Sequence, residues 1–273
     1  MRQLTITALL VILASVAYAQ VHKNKVDASS DDVRGSSAAS STPVPVIVEL
    51  FTSEGCSSCP PADALLLRLG NEQSVAGAQI VALEEHVDYW NDLGWNDPFS
   101  SYEFTERQQN YAQSFRHGGP YTPQMVVDGQ VEFVGSRSDQ ARKAIAAATT
   151  EPRANVTILR DPAASDKPEW TVSVRQLTAT GDTAEVWLAV TETGLQSNVE
   201  AGENSGRNLS HAAVVRKLFK LGDANAHNDD AFSGLAKIAV QPNWKKENLQ
   251  LVAFVQERRS RQIVGAGITK FLQ

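Results

Sequence analysis

Pro45-Val46-Ile47-Val48-Glu49-Leu50-Phe51-Thr52-Ser53-Glu54-Gly55-Cys56-Ser57-Ser58-Cys59-Pro60-Pro61-Ala62-Asp63 decides the reading of the fold. Pro45 to Phe51 is a near-continuous apolar run of strand length, the pattern of a central strand buried on both faces. The Cys-x-x-Cys pair follows at once, and then two prolines. Proline is tolerated in a helix's first turn, where a missing N–H has no partner to lose. Leu65, Leu66 and Leu69 then form a helical stripe, with Gly70-Asn71 read as its end. Strand, cysteine pair and helix in direct succession set both sulfurs beside a helix N-terminus.

Outward from this stretch, residues 45–150 read as alternating strand and helix. Gln79 to Glu85 is a second strand. Ser100-Ser101-Tyr102-Glu103 has capping-box spacing. Phe104, Tyr111 and Phe115 follow on one helical face, and His117-Gly118-Gly119-Pro120 breaks that helix. Met125 to Val127 and Gln130 to Val134 flank Asp128-Gly129, the strongest short hairpin signal. Ser138 is expected to cap an alanine-rich helix running to about Thr149. Right-handed crossovers make the first two strands parallel neighbours. The segment from Asp88 to Gly119 is long for a connector. It reads as an insertion whose Trp90, Trp95, Phe99 and Tyr102 either shape a groove or pack as core.

After Glu151-Pro152 the texture changes. Asn155 to Leu159, Trp170 to Leu177, Glu185 to Glu192, Val214 to Leu221, Leu249 to Glu257 and Ile263 to Phe271 are strand-like and separated by turn clusters. The expectation is a second, all-β, sandwich-like domain over residues 151–273.

At the other end, Arg2, the apolar run Leu4 to Val16 and Ala17-Tyr18-Ala19 have the layout of a secretory signal over residues 1–19. The run is shorter than the roughly 20 residues a membrane span needs. Residues 20–43 are small and polar, as in a flexible linker. The expected location is therefore periplasmic or secreted, with no membrane attachment after cleavage. The chain has 273 residues, 42% of them hydrophobic, and a net charge of −6, which gives no footing for a nucleic-acid partner.

The chain has two cysteines, both in the one motif. A bridge across four residues closes almost no loop, so a purely structural staple explains little. Zinc wants four ligands, and no further cysteine exists. A soft Cu(I) site with His86 remains as an alternative. The reading favoured by position is redox chemistry. The helix N-terminus, with its unpaired N–H groups and positive dipole end, favours a thiolate at Cys56. Cys56 is expected to be the exposed nucleophile. Cys59, one turn in and more buried, would resolve a mixed disulfide by attacking Cys56.

Val48 to Asp63 resembles the thioredoxin active-site segment. Together with His86-Val87-Asp88-Tyr89-Trp90, Gly94-Trp95 and Gly202-Glu203-Asn204-Ser205-Gly206-Arg207, it is similar to a bacterial family of secreted thioredoxin-like proteins of unknown function. The resemblance spans roughly residues 45–273. It implies an α/β thioredoxin-like domain over residues 44–150, preceding the all-β one. It also implies a cis-proline facing the cysteines, for which Thr122-Pro123 is the match. Thr122 would then offer its backbone to a substrate peptide. The family pattern further implies a buried acid that moves protons for the second cysteine. Glu49 is the candidate, but it lies one residue farther from Cys56 than that acid usually does. Because strand side chains alternate, the offset can turn it to the other face. His86 borders the same sheet edge as a further lining residue.

Three functions follow from these residues. One is a thiol–disulfide oxidoreductase using a Cys56–Cys59 dithiol or disulfide and no cofactor. Its partners would be protein thiols or disulfides and a redox protein. The others are a Cu(I) chaperone using the same cysteines, and a scaffold whose β domain docks a partner.

Overall fold

The computed structural model describes residues 42–116, 118–161 and 168–272. The signal reading, and all but the last two residues of the linker, lie outside the described residues.

β1 (Val44–Thr52) is buried along its length and alternates its cargo between two faces. Val46, Val48 and Leu50 pack on Ala62, Leu66 and Leu69 of α1 (Pro60–Glu72) and on Ile145 of α3 (Ser138–Ala148). Ile47 faces the other way, toward Leu83 and Phe104, and Phe51 meets Tyr111 at 5.9 Å. Phe104 and Tyr111 belong to α2 (Tyr102–Phe115), whose N-cap Ser101 accepts from Glu103 N–H. Helices thus cover both faces, which is why the strand reads as an unbroken apolar run.

β2 (Ala78–His86) lies parallel to β1, with Leu50 opposite Glu84 and Thr52 opposite His86. β3 (Gln124–Val127) pairs antiparallel with the other side of β1, and β4 (Val131–Val134) with β3. The β3–β4 turn has Asp128 at φ 47° and Gly129 at φ 68°, as a two-residue hairpin turn of primed type requires. A Cβ at Gly129 would run into the carbonyl of Arg261, so only glycine fits. α1 continues past Gly70 to Glu72 and ends where Gln73 turns left-handed at φ 49°. α3 starts at Ser138 itself, with Arg137 at the cap position and no side-chain cap.

Residues 151–273 were expected to stand apart, yet the sheet does not stop at that boundary. β10 (Ala213–Ala224) pairs in parallel with β2 through Val214 and Glu84. β7 (Ala184–Thr193), β12 (Leu249–Glu257) and β13 (Ile263–Lys270) extend it further. The result is one eight-stranded sheet in the order β13-β12-β7-β10-β2-β1-β3-β4. Residues 42–273 form one unit accordingly. The physical reason is the outer edge of β2: a buried edge strand must be paired or covered, and β10 pairs it.

A three-stranded sheet of β5 (Asn155–Arg160), β6 (Glu169–Arg175) and β11 (Asp230–Lys237) supplies the second layer. Val156, Trp170 and Val172 pack there on Val186, Leu188, Leu251 and Val255. Two facing sheets exist in this half of the chain, but one of them is the N-terminal sheet continued. A short ribbon, β8 (Gln196–Asn198) with β9 (Asn208–Ser210), carries the loop 199–207 at its tip.

Candidate cysteine site and the acid–histidine chain beneath it

The C-terminal end of β1 runs straight into the cysteine loop. Cys56 and Cys59 are joined, with their Cα atoms 5.4 Å apart, and Cys59 is the residue before α1. Helix N–H groups do not reach Cys56. Pro60 and Pro61 have none, and those of Ala62 and Asp63 donate to the Cys59 carbonyl. What stands beside Cys56 Sγ are two hydroxyls: Thr122 Oγ1 donates from 3.4 Å, and Ser58 Oγ lies at 3.3 Å. Only the dipole component of the expected helix effect remains. The Thr122–Pro123 peptide is cis, and Thr122 Oγ1 also accepts from Trp90 Nε1 at 2.8 Å. Cys56, Cys59, Thr122 and Pro123 are thus brought together.

Cys56 was expected to be exposed, but both cysteines are completely buried. The C-terminal loop 199–207 fastens onto the cysteine loop. Asn204 Nδ2 donates to the carbonyls of Glu54, at 2.8 Å, and of Cys56, at 2.9 Å. Glu203 Oε2 accepts from Ser57 N–H at 3.0 Å. Gly202, at φ 71°, lies so close to Trp95 that a Cβ there would stand 3.1 Å from the Trp95 Cβ. The Gly202 to Arg207 segment, one of the stretches that carry the family resemblance, supplies part of the site.

Glu49 is not beneath the cysteines. It shares the face of Ile47 and Phe51, where it accepts from Arg107 Nε at 2.6 Å and Tyr111 OH at 2.5 Å. Glu85, on the same face, lies 3.5 Å from Arg107 Nε. Burial and the charge of Glu49 push its carboxyl well above the usual range, with Arg107 opposing. The one-residue offset in the sequence is therefore a change of face. The acid on the cysteine side is Asp63, buried in α1, which accepts from Thr52 Oγ1 at 2.6 Å. Burial, then the charge of Glu84, pushes its carboxyl up to about 7.

His86 uses both ring nitrogens within the protein. Nδ1 lies 2.7 Å from Asp97 Oδ2 and Nε2 lies 3.2 Å from Glu84 Oε1. The same Glu84 oxygen meets His211 Nδ1 at 2.8 Å, and His211 Nε2 is 3.2 Å from Glu54 Oε1. Glu54 N–H donates to Asp97 Oδ2 at 2.8 Å and closes the ring. The β2–β10 register explains the meeting. With Val214 opposite Glu84, the residues just before β10 lie against that carboxyl, and Ala212 N–H donates to Glu84 Oε2. Burial opposes charge on Glu84, His86, Asp97 and His211, and the neighbours override it. Hydrogen bonds from His211 and His86 hold Glu84 at about 2. Asp97 keeps His86 well above its ordinary value, and Glu54 and Glu84 push His211 up to about 9. Phe99 and Trp95 are packed into this cluster rather than lining a groove: Phe99 meets His86 edge-on at 5.4 Å, and Trp95 Nε1 donates to Glu54.

Sequence reading passed over His211 and Glu84. The available signal was Glu84-Leu83 alternation ending in His86, which puts two polar groups on one buried face of an apolar strand. A cleft of about 1020 Å³ bordered by Gly77, Ala78 and Thr193 includes none of the cysteine-site residues.

A search among curated proteins gives no match. Among solved structures, the chain is similar to protein AGR_C_4864 from Agrobacterium tumefaciens, at 26% identity and a TM-score of 0.63, over 84% of this chain and 95% of that one. HBP35 of Porphyromonas gingivalis shares the fold at 17% identity and a TM-score of 0.61, over 84% of this chain and 76% of the other. Residues 47–256, most of the chain, match the family described as a protein of unknown function, DUF1223, and the chain belongs to that family.

Proposed function

We propose that this protein is an extracytoplasmic thiol–disulfide oxidoreductase acting through Cys56 and Cys59, built on a thioredoxin-like unit. The observation that carries the reading is the joined cysteine pair at the head of α1, with cis Thr122–Pro123 facing it and the Thr122 hydroxyl 3.4 Å from Cys56 Sγ. The strand order β2-β1-β3-β4, with helices on both faces, supports the thioredoxin-like unit. The signal-like N-terminus and a disulfide suit an oxidising compartment.

In the oxidising direction, a substrate thiolate attacks Cys56 Sγ and Cys59 leaves as the thiolate. The second substrate thiol then attacks its own sulfur of the mixed disulfide and releases Cys56. The substrate gives up two electrons and two protons, and the cysteine pair takes both. The reverse sequence reduces a substrate disulfide. Ser58 and Thr122 hydroxyls stabilise the developing charge on Cys56. Because both sulfurs are buried, a substrate reaches Cys56 only after neighbouring groups move aside, and loop 199–207, fastened to the cysteine loop, is one candidate.

The test is dithiothreitol-driven reduction of insulin, followed by turbidity, alongside oxidation of a dithiol peptide. Cys56→Ser is expected to abolish both. Cys59→Ser should trap the mixed disulfide, visible by mass spectrometry. Activity in Cys56→Ser equal to that of the unaltered protein overturns the reading.

A further inference from the structure

We propose that Glu84, His86 and His211 are the donor set for one divalent transition-metal ion, bound beneath the cysteine loop without using the cysteines. Three donor atoms converge: Glu84 Oε1, His86 Nε2 and His211 Nδ1 all lie within 4.8 Å of one another. The two nitrogens stand 3.2 and 2.8 Å from the shared oxygen. Donors on an ion with bonds of about 2.0–2.1 Å are spaced by about 3 Å, so these separations suit a common ion.

Two of the donors are also held from behind. Asp97 takes the outer nitrogen of His86, at 2.7 Å, and Glu54 Oε1 lies 3.2 Å from that of His211 without forming a hydrogen bond. Ala212 N–H takes the outer oxygen of Glu84, so Oε1 is left facing the imidazoles. Carboxylates behind ligating histidines fix the ring and its tautomer, a recurring arrangement around protein-bound metals. Asp97 is itself positioned by N–H groups of Glu54 and Phe99. The aromatic ring of Phe99, 5.4 Å from His86 and 5.2 Å from His211, walls the cluster.

With its outer nitrogen on Asp97, the His86 ring can turn its inner nitrogen, as a ligand, toward the Glu84 oxygen that His211 also faces. Two imidazoles and a carboxylate select borderline ions such as Zn²⁺, Co²⁺, Ni²⁺ or Cu²⁺ over Mg²⁺ and Ca²⁺. Three protein donors leave a tetrahedral position for water.

The experiment uses the full chain, stripped by chelator in denaturant and refolded with Co²⁺, then with Zn²⁺. The unaltered protein should bind one equivalent, seen as visible d–d absorption for Co²⁺ and by elemental analysis for Zn²⁺. Cys56→Ser/Cys59→Ser should bind equally well without a sulfur-to-Co²⁺ charge-transfer band. His211→Gln should lose stoichiometric binding. Asp97→Asn, which keeps all three donors, should weaken affinity about 10–100-fold. Refolded, unaltered protein with less than about a tenth of an equivalent of either ion overturns the proposal. So does binding that disappears with the cysteines. Should His211→Gln fail to fold, the unaltered protein and the cysteine variant still decide it.

Discussion

The same sheet carries a buried polar cluster on each face, and the two are built differently. On the α2 face, two carboxylates, Glu49 and Glu85, share one guanidinium, Arg107, with Tyr111 and Gln256 filling in. On the α1 face, acids and histidines alternate: Asp97, His86, Glu84, His211, Glu54. In the first arrangement, burial and the charge of Glu49 push the Glu85 carboxyl well above its usual range. The second sets two histidines among three acids, and histidine nitrogens can ligate a cation. Arginine stays charged in proteins, whereas histidine both titrates and ligates. One face is thus a fixed structural pair and the other an adaptable centre, next to the cysteines.

The sharpest way to break this contrast is Arg107→Met. It leaves Glu49 buried without a cation, and urea unfolding should report a loss of about 3–5 kcal/mol. A change below about 1 kcal/mol would mean that the α2-face pair is not the rigid element described. Next in size is Asn204→Ala, which strips two buried carbonyls of their only amide partner from loop 199–207. About 1–3 kcal/mol of stability should be lost, and dithiothreitol should reduce the Cys56–Cys59 bond faster. An unchanged reduction rate would show that the loop does not limit access.

A third test concerns Asp63. Its folded-state pKa, about 7, lies above the ordinary 3.8, so the folded chain holds a proton that the unfolded chain has released. Between about pH 4 and 7 its contribution to stability therefore falls as pH rises, by at most about 1.4 kcal/mol per pH unit. Asp63→Asn should remove that slope. Parallel pH profiles for the two proteins would place the carboxyl in contact with water instead.

Much of the frame was legible from local chemistry. Pro45 to Phe51 reads as a doubly covered strand because its residues are apolar on both faces. Asp128-Gly129 reads as a hairpin because few other pairs accept two positive φ angles. Cys56, Cys59 and Thr122-Pro123 carry their own motif. What escaped depended on contacts far apart in sequence. No periodicity announces that β10 pairs with β2, since both are apolar strands that would pair with any suitable edge. His211 was one scattered histidine until that register set it against Glu84. Glu49 was the converse: the alternation rule raised the change of face, but only the backbone path from Thr52 to Cys56 decided it. The fastening of the cysteine loop was invisible for the same reason, because the amide on the Cys56 carbonyl comes from Asn204, 148 residues further along.

That separation also sets an order of events. A chain emerges from its N-terminus, so Cys56 and Cys59 leave the ribosome long before Asn204, and β2 waits with a bare edge until Val214 follows. Until Asn204 arrives, the carbonyls of Glu54 and Cys56 lack the amide that holds them in the folded chain, so a chain cut short before it would present the cysteine loop in a looser form.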